Sequence, residues 1–359
     1  MKKLFSKSGE NTQPGHRERR LKVLFLNTRD SLGADVAVHL SLIANLDRSQ
    51  VEVWVASGLY EKSGPSTLAA LGAIPGIMLL PLELGRSLGQ GLAGRVKSFR
   101  FNALALLNLL RLSWLCRRQK IGVIHVTDRP RDALFGLLLA RLGGSRCLIH
   151  AHTSYDRRNL NRLGDWVLKQ ADAVVGVSHF TANTYRREAG IAPQKVFAVH
   201  NAVDAGVFRP DLSLEEPTII RRLGICPGGP LIGCVARLSR WKDQATLLEA
   251  LAELRTALPG VRLVLAGANF DSSPDGQGTY QEYLERRIKA LGLENAVTFA
   301  GYLDHQEMPG LYNGFDVLAH PAVEEPFGLA VVEAMASGRP VVAVGEGGIC
   351  EIIRDGLDG

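Results

Sequence analysis

EPFGLAVVEAMASGRPV, residues 325–341, reads as a loop, a helix and the start of a strand. The short apolar run Val317 to His320 leads into it, and Gly338-Arg339-Pro340 stops the helix before a further strand candidate, Pro340 to Val344. A strand, loop, helix and strand in this order belong to a parallel sheet covered by helices.

The same alternation runs outward to both ends. Toward the C-terminal side of residue 230, strand candidates are Leu231–Ala236, Val261–Ala266 and Val297–Ala300. Leu247, Leu251, Leu254 and Leu258 fall at helical spacing between the first two, and Pro259-Gly260 ends that helix. Earlier runs are Val23–Leu26, Val51–Val55, Ile77–Leu80 closed by Pro81, Val123–Val126, Cys147–His150 and Ala173–Val177. Residues 33–46, 101–118, 130–143 and 160–170 are long enough for helices between them. A polar, proline-containing stretch, Gly206 to Pro230, separates the two series. The expected fold is therefore α/β, with two Rossmann-like, doubly wound domains over residues 21–209 and 210–359. Residues 1–20 read as a basic flexible tail. Ligands bind at the carboxyl ends of strands in such sheets, and a cleft between two such domains is the default site.

Composition agrees with two globular domains and excludes several classes. The 359 residues are too many for one compact core, and 46% are hydrophobic against 22% charged. Residues 1–209 carry 30 Lys and Arg against 15 Asp and Glu, net +15, and the remainder is net −9. A basic half beside an acidic half points to an anionic partner for the first. Only 6% of residues are aromatic and no nucleic-acid motif is present, so nucleic acid is not that partner. The five cysteines, Cys116, Cys147, Cys226, Cys234 and Cys350, share no CxxC spacing. That usage fits a reduced cytoplasmic protein without a zinc site or disulfide framework. The N-terminal residues lack the apolar segment of a secretory signal, and no apolar run of membrane-spanning length occurs. The leucine-rich segment 101–118 is flanked by Arg95, Lys97, Arg100, Arg111, Arg117, Arg118 and Lys120. Two readings stand for it: a buried helix with snorkelling ends, or a basic element lying on a membrane surface.

Chemistry concentrates in two places. In the first, Glu325 lies in the loop and Glu333 on the helix. Backbone N–H groups at Phe327, Gly328 and Leu329 open that helix, where an anion is favoured, and Gly328 lets a phosphate approach. A carboxylate such as Glu333 suits a ribose diol, since it accepts two hydrogen bonds. In the second, Arg237 follows a strand and Lys242 comes five residues later at a helix start. A cation at a helix N-terminus is unfavourable alone, so an anion is expected beside it. An Arg–Lys pair stabilises a pyrophosphate leaving group without a metal.

These strings resemble the retaining glycosyltransferases of family 4, the group 1 glycosyl transferases of GT-B fold. The resemblance runs from about Leu21 to Gly359. It rests on the Glu-x7-Glu string with Phe-Gly-Leu, the Arg-x4-Lys pair, and Gly347-Gly348-Ile349 before Glu351. It implies that Glu325 lies by the donor sugar, Glu333 binds the nucleotide ribose, and Arg237 and Lys242 hold the diphosphate. Gly347 and Gly348 would line the donor phosphates. Leu32-Gly33-Ala34-Asp35 resembles the family's Gly-Gly-Ala-Glu turn, which places Gly33 near a phosphate. His152-Thr153-Ser154 resembles the active-site histidine segment, with His150 the competing candidate on the same strand face. Val177-Ser178 and Asn201-Ala202-Val203-Asp204 resemble the Val-Ser and Asn-Gly-Val-Asp segments. Cys350 stands where the family usually has Pro. Family chains continue past the position of Gly359, so the resemblance implies a C-terminally truncated second domain.

The expectation is a hexosyltransferase-type enzyme with a nucleotide-sugar as donor substrate and no cofactor or metal. Its acceptor would be a glycan or a lipid-linked precursor of the cell envelope or an exopolysaccharide. The cytosolic face of an anionic membrane is a further expected partner. Two rivals are a sugar-nucleotide epimerase on the same fold and a donor-binding remnant without turnover.

Overall fold

The computed structural model describes residues 20–28, 33–59, 66–85, 91–156, 162–211, 218–225 and 228–359. Most of the expected tail and Cys226 lie outside the described residues, and so do the side chains of Arg95, Lys97 and Arg100.

Twelve described strands form two sheets, and every pairing resolved between them is parallel. The first sheet has the order β3-β2-β1-β4-β5-β6-β7. Its strands are β1 (Leu21–Asn27), β2 (Val51–Gly58), β3 (Ile77–Leu82), β4 (Val123–Thr127), β5 (Arg146–Ala151), β6 (Ala173–Gly176) and β7 (Val196–Ala198). The second has the order β10-β9-β8-β11-β12. It comprises β8 (Leu231–Val235), β9 (Arg262–Ala266), β10 (Val297–Gly301), β11 (Val317–His320) and β12 (Val341–Ala343). Both orders reverse at the first strand of the sheet, with β1 between β2 and β4 and β8 between β9 and β11. That reversal is the hallmark of the expected doubly wound fold. Two details depart from the sequence reading. Pro81 lies inside β3 rather than closing it, which an edge strand tolerates because its outer N–H groups need no partner. β7 is too short to have been read from periodicity.

By Cα proximity the chain forms two units, Met1–Leu148 with Gln170–Asp172, and Ile149–Lys169 with Ala173–Gly359. The three-residue piece joins the first unit because Cys147 N donates to Asp172 Oδ2 at 2.9 Å and Arg141 Nη2 to Gln170 O at 2.7 Å.

In the first unit, the helices are α1 (Ala34–Asn45), α2 (Thr67–Gly72), α3 (Gly91–Gln119) and α4 (Pro130–Gly143). A core of Val23, Phe25, Ile43, Val53, Val55, Leu71 and Val123 joins α1 and α2 to the sheet. The segment 101–118 belongs to the longer helix α3. Ala105, Leu109, Leu112 and Cys116 are buried on one face, where Asn108 Nδ2 also donates to Glu83 O at 2.9 Å. Leu106, Leu107, Leu110 and Trp114 are exposed on the other, with the Arg118 guanidinium 5.2 Å over the Trp114 ring. The buried-helix reading is thus corrected: one face of α3 is buried and the other leaves an apolar stripe outside. No described helix is long and apolar enough to cross a membrane.

In the second unit, α5 (Arg162–Gln170) and α6 (His179–Arg187) precede α7 (Thr218–Arg222), α8 (Gln244–Ala257), α9 (Tyr280–Ala290), α10 (Met308–Asn313) and α11 (Leu329–Ala336). Strands of the smaller sheet are apolar on both faces. Leu263 and Leu265 join Leu248 and Leu251 of α8 and Leu284 and Ile288 of α9, while Val264 and Ala266 join Leu311 of α10 and Val331 of α11. Alternate residues therefore serve opposite helical layers. From α8, Leu248 and Leu251 are buried in the core and Leu247 packs against it, whereas Leu254 and Leu258 of the expected stripe are exposed.

Candidate active site

In a parallel sheet, neighbouring strands release their chains at the same end. β8 and β11 are such neighbours, with Val317 opposite Ile232 and Leu318 opposite Gly233. Arg237 and Lys242 follow β8, and Glu325 follows β11, so the switch point brings them to one place.

There Lys242 Nζ donates to Glu325 Oε2, and both residues are buried. The anion expected beside Lys242 is thus the chain's own carboxylate. Lys242 also precedes α8 by two residues, on a short 3-10 turn, rather than opening the helix. His320 Nε2 lies 3.2 Å from the same Glu325 oxygen. Burial pushes the Glu325 carboxyl up, but the His320 hydrogen bond and the Lys242 charge outweigh it and hold the group at about 2. Arg237 is exposed, its guanidinium 4.1 Å over the Phe270 ring. Its carbonyl accepts from Gln244 Nε2 at 2.9 Å.

The loop that carries Glu325 is held from several directions. Ser178 Oγ donates to Pro326 O at 2.6 Å while capping α6 through the Thr181 N–H, and Thr181 Oγ1 also donates to Pro326 O. Trp241 Nε1 donates to Val323 O at 2.9 Å, and Gly348 N donates to Glu325 O at 2.7 Å. The last contact needs glycine: a Cβ on Gly348 would collide with the Pro326 carbonyl, and Gly347 adopts φ +73° with Glu325 O 2.6 Å from where a Cβ would stand. Glu324, at φ +51°, takes the left-handed conformation within this loop. Gly328 is the N-cap of α11, and Phe327 is buried beside it. Leu329 is the first helical residue, so Phe327, Gly328 and Leu329 lie at the helix N-terminus.

Glu333 sits on α11 as expected, partly buried. Tyr312 Oη donates to its Oε2 at 2.6 Å. Burial pushes the Glu333 carboxyl up to about 7 against the pull of that hydrogen bond. The two glutamates of the motif thus differ: one is held ionised, and the other titrates near neutrality.

The remaining candidates stand on other elements. His152 follows β5 with its ring 4.3 Å from that of buried His150. Gly33, in the first unit, is the extended N-cap of α1. Asp35 in that helix's first turn pairs with Arg129 at 2.6 Å, so the α1 N-terminus already has a carboxylate beside it. Glu351 accepts from the His179 and Phe180 N–H groups at 2.8 and 2.6 Å, and His200 Nε2 lies 2.7 Å away. His179, His200 and Glu351 bring ligand atoms within 4.8 Å of one another, and the carboxylate's bonds to the α6 N-terminus account for that gathering.

Sequence reading missed His320, Trp241 and Tyr312. Trp241 and Tyr312 act through partners 82 and 21 residues away, and His320, only five residues before Glu325, stands in no motif that marks it. Ser178 had a signal in the Val-Ser segment, but its bond to Pro326 was not legible.

Known proteins resemble this chain in sequence and in fold. Residues 36–207 match the family described as Glycosyltransferase Family 4, and residues 215–359 match Glycosyl transferases group 1. The chain is 29% identical over 291 residues to the 2-deoxystreptamine glucosyltransferase of Streptomyces kanamyceticus, covering 76% of this chain and 71% of that protein. It is 33% identical over 196 residues to the D-inositol 3-phosphate glycosyltransferase of Mycobacterium bovis (strain BCG / Pasteur 1173P2), covering 54% of this chain but 38% of that one. Among solved structures, Anabaena Alr3699/HepE in complex with UDP-glucose superposes with TM-score 0.74 at 22% identity, over 95% of this chain and 85% of that one. The lipopolysaccharide glycosyltransferase WaaG superposes with TM-score 0.62 at 14% identity, over 92% and 83%. With both parts of the chain matched and the motif residues assembled at one switch point, the protein belongs to the group 1, family 4 glycosyltransferases of GT-B fold.

Proposed function

We propose that the chain moves a hexose from a nucleotide-sugar donor to a glycan or lipid-linked acceptor with retention, as in cell-envelope or exopolysaccharide synthesis. Residues 210–359 hold the donor and residues 21–209 the acceptor. The observation that carries this reading is the buried Lys242–Glu325 pair at the carboxyl ends of β8 and β11. The Lys242 ammonium has two further N–H donors for a diphosphate, and the exposed Arg237 guanidinium supplies a second cation. Glu333 receives the ribose hydroxyls. Gly347, Gly348 and the backbone of Phe327, Gly328 and Leu329 line the phosphates, with Gly33 as a further candidate. Glu325 and His152 face the sugar. As the bond from the anomeric carbon to the phosphate oxygen breaks, charge grows on the diphosphate, where Lys242 and Arg237 stabilise it. The acceptor hydroxyl bonds to the same face of the sugar, and its proton passes to the departing phosphate oxygen.

A thermal-shift screen with UDP, GDP, ADP and their hexoses tests the donor half of this reading. Ligand at 100 times its Kd stabilises by about 2.7 kcal/mol, and no shift with any of them overturns it. The relatives' names make UDP-glucose, with polyhydroxylated cyclic acceptors, the first pair to try. The anomeric configuration of the product, read by its NMR coupling, decides retention.

The exposed stripe Leu106, Leu107, Leu110 and Trp114 beside Arg111, Arg117 and Arg118 supports docking of α3 on the cytosolic face of an anionic membrane. Sedimentation with anionic and neutral vesicles at low and high salt tests it. Binding to anionic vesicles that salt and Trp114→Glu both weaken supports docking. Absence of binding at low salt removes it.

A further inference from the structure

Glu325 Oε2 has two donors, and they are not equivalent. Lys242 is the residue that donor diphosphate recruits in the proposed reaction, so its hold on Glu325 is shared once the donor arrives. His320 has no such second task. It ends β11, is 3% exposed, and places Nε2 3.2 Å from the carboxylate oxygen. An unprotonated Nε2 would set a lone pair against that oxygen, so Nε2 carries the proton. Nδ1 is buried without a hydrogen-bond partner among the described residues. Glu325 is already balanced by Lys242, Arg237 adds positive charge near the lysine, and Cys234 on β8 is a neutral thiol that burial pushes up to about 12.

We propose that His320 is a positioning residue for the glycosyl transfer, an Nε2–H donor that keeps the Glu325 carboxylate in place when Lys242 also engages the donor's diphosphate. This rests on the donor-site reading above. The strand fixes the imidazole, the imidazole fixes one carboxylate oxygen, and the second oxygen is left for the sugar.

The test compares His320→Phe, His320→Gln and His320→Asn with the wild-type chain, measuring nucleoside diphosphate affinity, kcat and the pH profile of kcat. Loss of a hydrogen bond to a charged group predicts that His320→Phe lowers kcat between about tenfold and a hundredfold. Affinity for the nucleoside diphosphate changes less than about threefold. His320→Gln or His320→Asn, whose side-chain amide donates but never titrates, recovers most of the loss and keeps the acidic limb of the wild-type pH profile. Should His320→Phe fail to fold, the amide variants still decide. An acidic limb that vanishes in a folded, nucleotide-binding amide variant shows that His320 does more than donate a hydrogen bond and overturns the proposal. So does full kcat in His320→Phe, or an amide variant as slow as His320→Phe. Failure of the wild-type chain to bind any nucleoside diphosphate is a different result, which sinks the donor-site reading instead.

Discussion

Tyr312, a fully buried ring on α10, donates its hydroxyl to Glu333 on α11 at 2.6 Å. The carboxyl proposed for the ribose is thereby fixed in place, and burial sets its proton affinity near neutral pH. A folded-state value of about 7, above the ordinary value of 4.5, means that the folded protein holds this proton more tightly than the unfolded chain. Its contribution to stability is full below about pH 4.5 and declines as pH rises through about 7. Melting temperature in Glu333→Gln should therefore fall less over that interval than in the wild-type chain. The affinity for a nucleoside diphosphate should rise over the same interval, as the carboxylate that accepts the ribose hydroxyls forms. Calorimetry at stepped pH checks this, and an affinity that is flat with pH refutes it.

Glu325 behaves in the opposite sense. Its value of about 2 lies below the ordinary 4.5, so its stabilisation is present above about pH 4.5 and is lost as pH falls toward 2. Lys242→Met leaves a buried carboxylate without its cation and should destabilise by about 3–5 kcal/mol. Adding Glu325→Gln to Lys242→Met should restore part of that stability while activity stays lost. Denaturant unfolding of the two single variants and the double variant measures the coupling. Additive losses would show that the pair contributes nothing beyond its separate members.

Arg237 gives a contrast within the same site. Its side chain is exposed and stacks on exposed Phe270, so Arg237→Ala should change stability by less than about 0.5 kcal/mol. Turnover should still fall by about 10²–10³, since one electrostatic donor to the leaving group is gone. Wild-type turnover in a folded Arg237→Ala would remove this residue from the mechanism.

Ser178 caps α6 and holds the Pro326 carbonyl with the same hydroxyl. Ser178→Ala should cost about 1 kcal/mol through the cap. It should also lower kcat/KM, because the loop bearing Glu325 loses one of its ties. Ser178→Thr, which keeps the hydroxyl, should recover most of both. A stability loss with unchanged kcat/KM would confine Ser178 to the helix cap.

Gly348→Ala tests the packing of the Gly347–Gly348 turn on the loop. The added methyl would meet the Pro326 backbone, which has no flexible end to move aside. A loss of about 1–3 kcal/mol is expected, with weaker nucleotide binding as the turn shifts. An unperturbed melting temperature would show that the turn has room the structure does not give it.

The amino-acid sequence was enough to place every described strand but β7, because apolar runs are local properties of the chain. It also determined the residue types of the site. Glu325 in a loop and Glu333 on a helix follow from the order Pro326, Gly328 and the apolar helix run, and both hold in the structure. Helix α4 was legible to the residue, since Pro130 starts it and Gly144, at φ +73°, ends it. Other features needed the fold. Which leucines of α8 face the core depends on where the helix lies on the sheet, and a spacing of three and four residues fits more than one face. The identity of the anion beside Lys242 was equally out of reach. Glu325 is 83 residues away, and only the pairing of β8 with β11 brings their following loops to one end of the sheet. Tyr312 and His320 were also invisible as site residues, although His320 stands only five residues before Glu325. A hydrogen bond to a buried carboxylate depends on distance and burial in three dimensions, and neither is encoded in local sequence period.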